Sequence, residues 1–215
     1  MIVLAALALP ALLAPQVHSG QQLHYHTTWT SVMNSPQSAG AKPAPVERTY
    51  TVNVSRASGG RLSWTRQYNA AAEPLLRFSS DASGEVVNRN NKKASGVPDF
   101  VYDAALLGPP PEALQPGVTW TNAIRQPGAD AFWTSTVEEA NAATGVVRLR
   151  LSFQSHGARG FQGDKSIRDQ REDGEAVFVH GVMTKLALQG RETTTTPQSR
   201  IVQAVAIETQ LENAI

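Results

Sequence analysis

Apolar and polar residues alternate along most of the chain, the period of a strand that buries one face. From Gln21 onward, Leu23, Tyr25, Thr27 and Trp29 share one side, and His24, His26, Thr28 and Thr30 share the other. Residues 48–56 set Tyr50, Val52 and Val54 against Thr49, Thr51, Asn53 and Ser55. Ala57-Ser58-Gly59-Gly60 then supplies a hairpin turn, and the return strand sets Leu62, Trp64 and Tyr68 against Ser63, Thr65 and Gln67. A second hairpin pairs residues 75–80 with 85–89 across Asp81-Ala82-Ser83-Gly84.

The second half keeps this grammar. Trp133, Ser135 and Val137 alternate with Thr134, Thr136 and Glu138, and Asn141 to Gly145 turn the chain. In residues 146–156, Val147, Leu149, Leu151 and Phe153 face inward while Arg148, Arg150, Ser152 and Gln154 face water. Asp173-Gly174 and His180-Gly181 predict turns that bracket short strands at 175–180 and 182–190. Residues 200–211 carry helix-forming Ala and Gln, but Val202, Val205, Ile207 and Thr209 favour a strand.

Three stretches do not alternate. Residues 34–46 form a Pro/Ala/Ser connection, residues 90–117 a long crossing with one short helix at 99–107, and residues 157–173 a Gly-rich polar loop. The predicted fold is mainly β: a single curled antiparallel sheet, a half-barrel or open barrel, with at most one or two short helices. A meander of this length must curl to bury its apolar face.

The N-terminus adds a destination. Residues 2–14 (IVLAALALPALLA) match the length of a signal-peptide core and are too short to span a bilayer as a helix. Residues 1–19 are therefore read as a signal peptide cleaved after Ser19, and residues 20–215 as one antiparallel β domain. No basic residue precedes the run, so the start codon is expected upstream. The expected location is the bacterial periplasm or exterior. The mature chain is not expected to span a membrane, because no second long apolar stretch follows.

Composition narrows the chemistry. The 215 residues carry a net charge of +1, with 41% hydrophobic residues and no cysteine. No general attraction to nucleic acid follows, and disulfides, thiolate metal sites and Cys nucleophiles are excluded. Gly-x-Ser-x-Gly, Ser-x-x-Lys and HExxH are missing from the sequence. His24-x-His26 would project two imidazoles from one side of a strand, the best start for a metal site, but no third ligand is identifiable. Ser155 and His156 are adjacent and so point to opposite faces of a strand. The carboxylates Glu138 and Glu139 split likewise, whereas Asp169, Glu172, Asp173 and Glu175 are expected beside a turn. His156 and His180 are read as structural. No catalytic residue, metal or cofactor is assigned, and the protein is expected not to be an enzyme.

Aromatic residues are the candidate binding group. Tyr25, Trp29, Trp64, Trp120 and Trp133 fall on apolar faces, where a concave sheet too large to fill would leave an aromatic-lined cavity for an apolar ligand. The alternatives are a structural or interaction module of the cell envelope with a filled core, and a metal-dependent hydrolase using His24 and His26.

Two short motifs carry a resemblance. Pro116-Gly117-Val118-Thr119-Trp120 follows the crossing, and Asp173-Gly174-Glu175-Ala176-Val177-Phe178 precedes the closing hairpin. The layout resembles secreted bacterial β-sheet families of unknown function, with a Pro-Gly-x-x-Trp step and a Gly-Glu-x-x-Phe strand. Those families are weakly similar to the half-barrel carriers of lipids and lipoproteins in bacterial envelopes. The resemblance implies no catalytic residues, a lipid or apolar small molecule as partner, and helices over the concave face, for which residues 99–107 are the candidate.

Overall fold

The structure is a computed structural model and describes residues 12–13, 16–33, 45–56, 62–68, 76–80, 86–90, 114–126, 129–161 and 164–215. Eleven strands follow one another: β1 (Gln22–Met33), β2 (Val46–Arg56), β3 (Leu62–Tyr68), β4 (Leu76–Ser80), β5 (Val86–Asn90), β6 (Thr119–Gln126), β7 (Ala129–Asn141), β8 (Val146–Phe161), β9 (Asp164–Val179), β10 (Val182–Thr195) and β11 (Arg200–Ala214). They form one sheet in the order β5-β4-β3-β2-β1-β11-β10-β9-β8-β7-β6. Every neighbouring pair is antiparallel. The sheet is thus two meanders joined through β1 and β11, which lie side by side at its centre.

This order explains the long crossing. Passing from β5 to β6 through the ladder reverses direction an even number of times, so the two edge strands run the same way. A tight hairpin joins only antiparallel strands, so β5 and β6 cannot be joined by one. The expected helix at 99–107, residues 34–44 of the expected 34–46 connection, and the turns at 57–60 and 81–84 lie outside the described residues; Val46, at the end of that connection, already belongs to β2.

Side chains opposite one another in a ladder share a face, so the register defines rows across the sheet. One inner row runs Val137, Leu149, Ala176, Leu186, Thr209 and Thr27. The next runs Ser135, Leu151, Gly174, Leu188, Ile207 and Trp29. A third runs Trp133, Phe153, Glu172, Gly190, Val205 and Ser31. Val147, Leu149, Phe153 and Ala176 on this face are wholly buried. No α-helix occurs among the described residues, so the sheet curls to cover its own face, and it stays open between β5 and β6. None of those residues forms a helix long and apolar enough to cross a membrane.

The apolar side chains gather in two clusters. The larger joins Trp120, Trp133, Val137, Leu149, Leu151, Phe153, Phe178, Leu188 and Ile207, with Leu114 from the end of the crossing. The smaller joins Leu23, Tyr25, Tyr50, Val52, Val54, Leu62 and Trp64. Leu12 and Leu13 pack against the larger cluster and Val17 against the smaller. The Gln16 amide donates to the His180 carbonyl. Part of the expected leader therefore lies on the core.

Glycines permit the curl. A Cβ on Gly174 would sit 1.9 Å from the Ala187 carbonyl oxygen, and one on Gly190 would sit 1.9 Å from that of Arg171. Only hydrogen fits where β9 and β10 approach this closely, and such glycines mark strong bends in sheets. The β9–β10 turn uses His180 at φ 50° and Gly181 at φ 73°, as the His-Gly pair predicts.

Two local expectations are corrected. Residues 157–161 and 164–173 belong to strands and not to a loop, because β8 runs on to Phe161 and β9 starts at Asp164. Ladder hydrogen bonds satisfy the backbone whatever the side chains, so polar sequence does not stop a strand whose neighbours continue. Asp173-Gly174 is not a turn either; Gly174 pairs with Leu151 and Leu188 in mid-strand.

Candidate functional site in the concave face

The five candidate aromatics divide between the two clusters. Tyr25 stacks on Tyr50 with centroids 5.0 Å apart, an arrangement worth about 0.5–1.5 kcal/mol beyond area burial. Its hydroxyl donates to the Met183 carbonyl at 3.0 Å. Trp64 is buried in the same cluster, and the Arg66 guanidinium lies 5.5 Å from the centre of the Tyr50 ring. Trp120 and Trp133 are buried in the larger cluster, Trp133 with its ring centroid 4.8 Å from that of Phe153. Trp29, half-buried, packs against that cluster from β1.

In and beside the larger cluster several polar atoms are shut away from water without a partner. They are the indole N–H groups of Trp29 and Trp133, the Ser135 hydroxyl, Oε2 of Glu172 and Nε of Arg168. Each such atom costs about 1–3 kcal/mol when unsatisfied, against about 5–15 kcal/mol for the net stability of a whole domain. Something that satisfies them would therefore be strongly favoured.

Glu172 and its neighbours form a polar band beside the aromatics. Counting along β9 in steps of two from Phe178, the inner face reads Ala176, Gly174, Glu172, Gln170, Arg168. Gln170 Nε2 donates to Glu172 Oε1 at 2.5 Å, and Arg168 Nη2 donates to Glu192 Oε2. Glu172 and Gln170 are buried, as is Glu192 across the ladder on β10. Burial pushes the Glu172 carboxyl above its ordinary 4.5, and the Glu192 charge adds to the push. The Gln170 hydrogen bond and the Arg168 charge act the other way and do not prevail. Glu172 does not sit beside a turn with Asp169, Asp173 and Glu175, because strand parity turns it alone inward.

The histidines face outward. Nδ1 of His24 lies 3.1 Å from the Thr51 hydroxyl, whereas His26 has Glu212 at 3.4 Å and Glu47 at 4.0 Å. Among the described residues no three His, Cys, Asp or Glu side chains converge on one point that could hold a metal. His156 is exposed on β8 with Asp169 at 2.6 Å, while Ser155 turns inward. The outer face also carries a shallow depression of about 460 Å3 where Thr30, Val32, Ala204 and Ala206 leave little bulk on β1 and β11.

No family model and no curated protein sequence matches the chain. Among solved structures, it is similar to Rv2717c from M. tuberculosis, at 13% identity and a TM-score of 0.30 over 91% of this chain and 92% of that one. It is also similar to the acyl-CoA thioesterase II TesB2 from Mycobacterium marinum, at 12% identity and a TM-score of 0.18 over 91% of this chain and 82% of that one. Likeness this distant carries no functional argument, which rests instead on the residues of the concave face.

Proposed function

We propose that this is an exported, non-enzymatic β-sheet protein that binds a lipid or other apolar molecule in the concave face of its curled sheet. The observation that supports this reading is the pair of buried, unpartnered indole N–H groups on Trp133, within the larger apolar cluster, and Trp29, packed against it. A filled core selected only for stability would pair those donors or replace the indoles with rings that have none. An apolar ligand with one acceptor atom relieves the cost and keeps the aromatic walls. Trp120 and Phe153 complete the wall, and Tyr25 and Trp64 line the neighbouring cluster.

Export rests on the apolar run at residues 2–14. Cleavage after Ser19 would also strip Leu12 and Leu13 from the larger cluster and Val17 from the smaller. The periplasm or the cell exterior is the proposed location. The reading as an interaction module draws on a different observation, the open depression over Ala204 and Ala206 on the outer face.

Titration of the purified chain with the neutral dye Nile red separates the two. The ligand reading expects saturable binding with a blue-shifted emission, weakened in Trp133→Phe and Trp29→Phe while far-ultraviolet circular dichroism is unchanged. Absence of saturable binding, or identical affinity in both variants, would count against it.

A further inference from the structure

Resting on the ligand reading above, we propose that the polar band of Arg168, Gln170, Glu172 and Glu192 is a subsite for the carbonyl oxygen of an uncharged acyl ester, with hydrocarbon on both sides of it. Three observations lead there. The band is closed in charge: Arg168 is engaged by Glu192, and Gln170 occupies one oxygen of Glu172. A free carboxylate would bring a third acidic group to a site with one guanidinium, and burying an unpaired charge is far more costly than burying a hydrogen-bonded carbonyl.

The unused groups are suited to an acceptor. Nε–H of Arg168 and the indole N–H of Trp133 are donors, and the raised pKa of Glu172 favours the protonated acid, whose O–H is a third. Glu172 stands between Phe153 and the bare Gly190 in its row, so the side facing β10 carries no side chain beside the carboxyl.

The band is flanked by apolar side chains across the strands. On the β8 and β7 side Phe153 and Trp133 share the row of Glu172 and continue into the larger cluster. On the other side Met33 shares the row of Gln170, Glu192 and Gln203, and Ile201 shares the row of Arg168 and Thr194. Both are exposed large hydrophobics, 56% and 43% accessible, at the open end of the inner face. Apolar, polar, apolar is the order of an ester in mid-chain.

Three sixteen-carbon competitors of Nile red test this on the purified chain at pH 7: octyl octanoate, hexadecane and palmitate. The ester is expected to bind about tenfold more tightly than the alkane, the worth of one hydrogen bond, and more tightly than palmitate. Glu172→Leu is expected to erase the advantage over hexadecane, whereas Glu172→Gln, which keeps an N–H donor, retains it. Glu192→Gln is expected to improve palmitate binding by freeing the Arg168 charge. Equal binding of ester and alkane, tightest binding of palmitate, or an ester advantage that survives in Glu172→Leu would overturn the subsite and leave the ligand reading standing. If Nile red itself fails to bind the wild-type chain, both fall together.

Discussion

Gly190 stands directly across the ladder from Glu172, and a methyl group on it would meet the Arg171 carbonyl oxygen at 1.9 Å. The glycine thus lets β10 press against β9 and leaves the inner face bare beside the buried carboxyl. Gly190→Ala is expected to force the two strands apart, at a cost of about 1–3 kcal/mol, the range for overpacking. Urea denaturation would measure it. A variant as stable as wild type would mean that the strands are not held at this separation.

Two carboxyls of β9 should respond to pH with opposite signs. The Glu172 pKa is raised, so its contribution to stability is full below the ordinary 4.5 and is lost as pH climbs through the folded-state value. Glu175 is held low by the Lys185 hydrogen bond, with Arg148 adding to it, so its contribution is present above 4.5 and disappears as acid protonates the folded state. Melting temperatures should accordingly show Glu172→Gln more stabilised at pH 7 than at pH 4. Glu175→Gln should lose stability at pH 7 and little at low pH. The same sign for both variants would contradict this assignment.

Thr27 and Thr209 bury their hydroxyls against each other, 2.9 Å apart. Replacing either one with Val leaves a buried hydroxyl alone and is expected to cost about 1–3 kcal/mol. Replacing both should recover most of that loss, because two methyl groups then meet in an apolar row. A double-mutant cycle in urea reads the coupling directly, and additive losses would show that the two hydroxyls do not depend on each other.

Phe153 is wholly buried against Trp133. Phe153→Ala should destabilise the chain by about 3–5 kcal/mol by opening a cavity. Trp133→Phe, which keeps one aromatic ring but removes the unpartnered N–H together with the rest of the five-membered ring, should cost less than that and also weaken ligand binding. The contrast separates packing from recognition. Equal stability losses in the two variants would show that the indole is there for bulk alone.

Most of the sheet is legible in the sequence because period-two alternation is strong wherever one face is buried. Val147, Leu149, Leu151 and Phe153 alternate with polar residues without a break, and the structure buries all four. The polar band escapes that reading although parity is available. Glu172, Gln170 and Arg168 have the parity of Ala176 and Phe178. Reading Asp173-Gly174 as a turn stops the count just before it reaches Glu172. A glycine that serves a bend looks the same in sequence as one that serves a turn; only the 1.9 Å approach to Ala187 tells them apart. Strand order is likewise beyond reach, since the central β1–β11 pair joins opposite ends of the chain.

Indole N–H resonances offer the most direct view of the concave face. The chain has four tryptophans, so a 15N-labelled sample gives four indole signals, assignable through Trp29→Phe and Trp133→Phe. On addition of octyl octanoate, the Trp133 signal should move downfield as its proton finds the ester carbonyl, and the Trp29 signal should shift as the ligand fills the curl. Four unmoved indoles, with shifts instead at Thr30, Gln189 and Ala206 on the outer depression, would contradict a ligand site inside the curl.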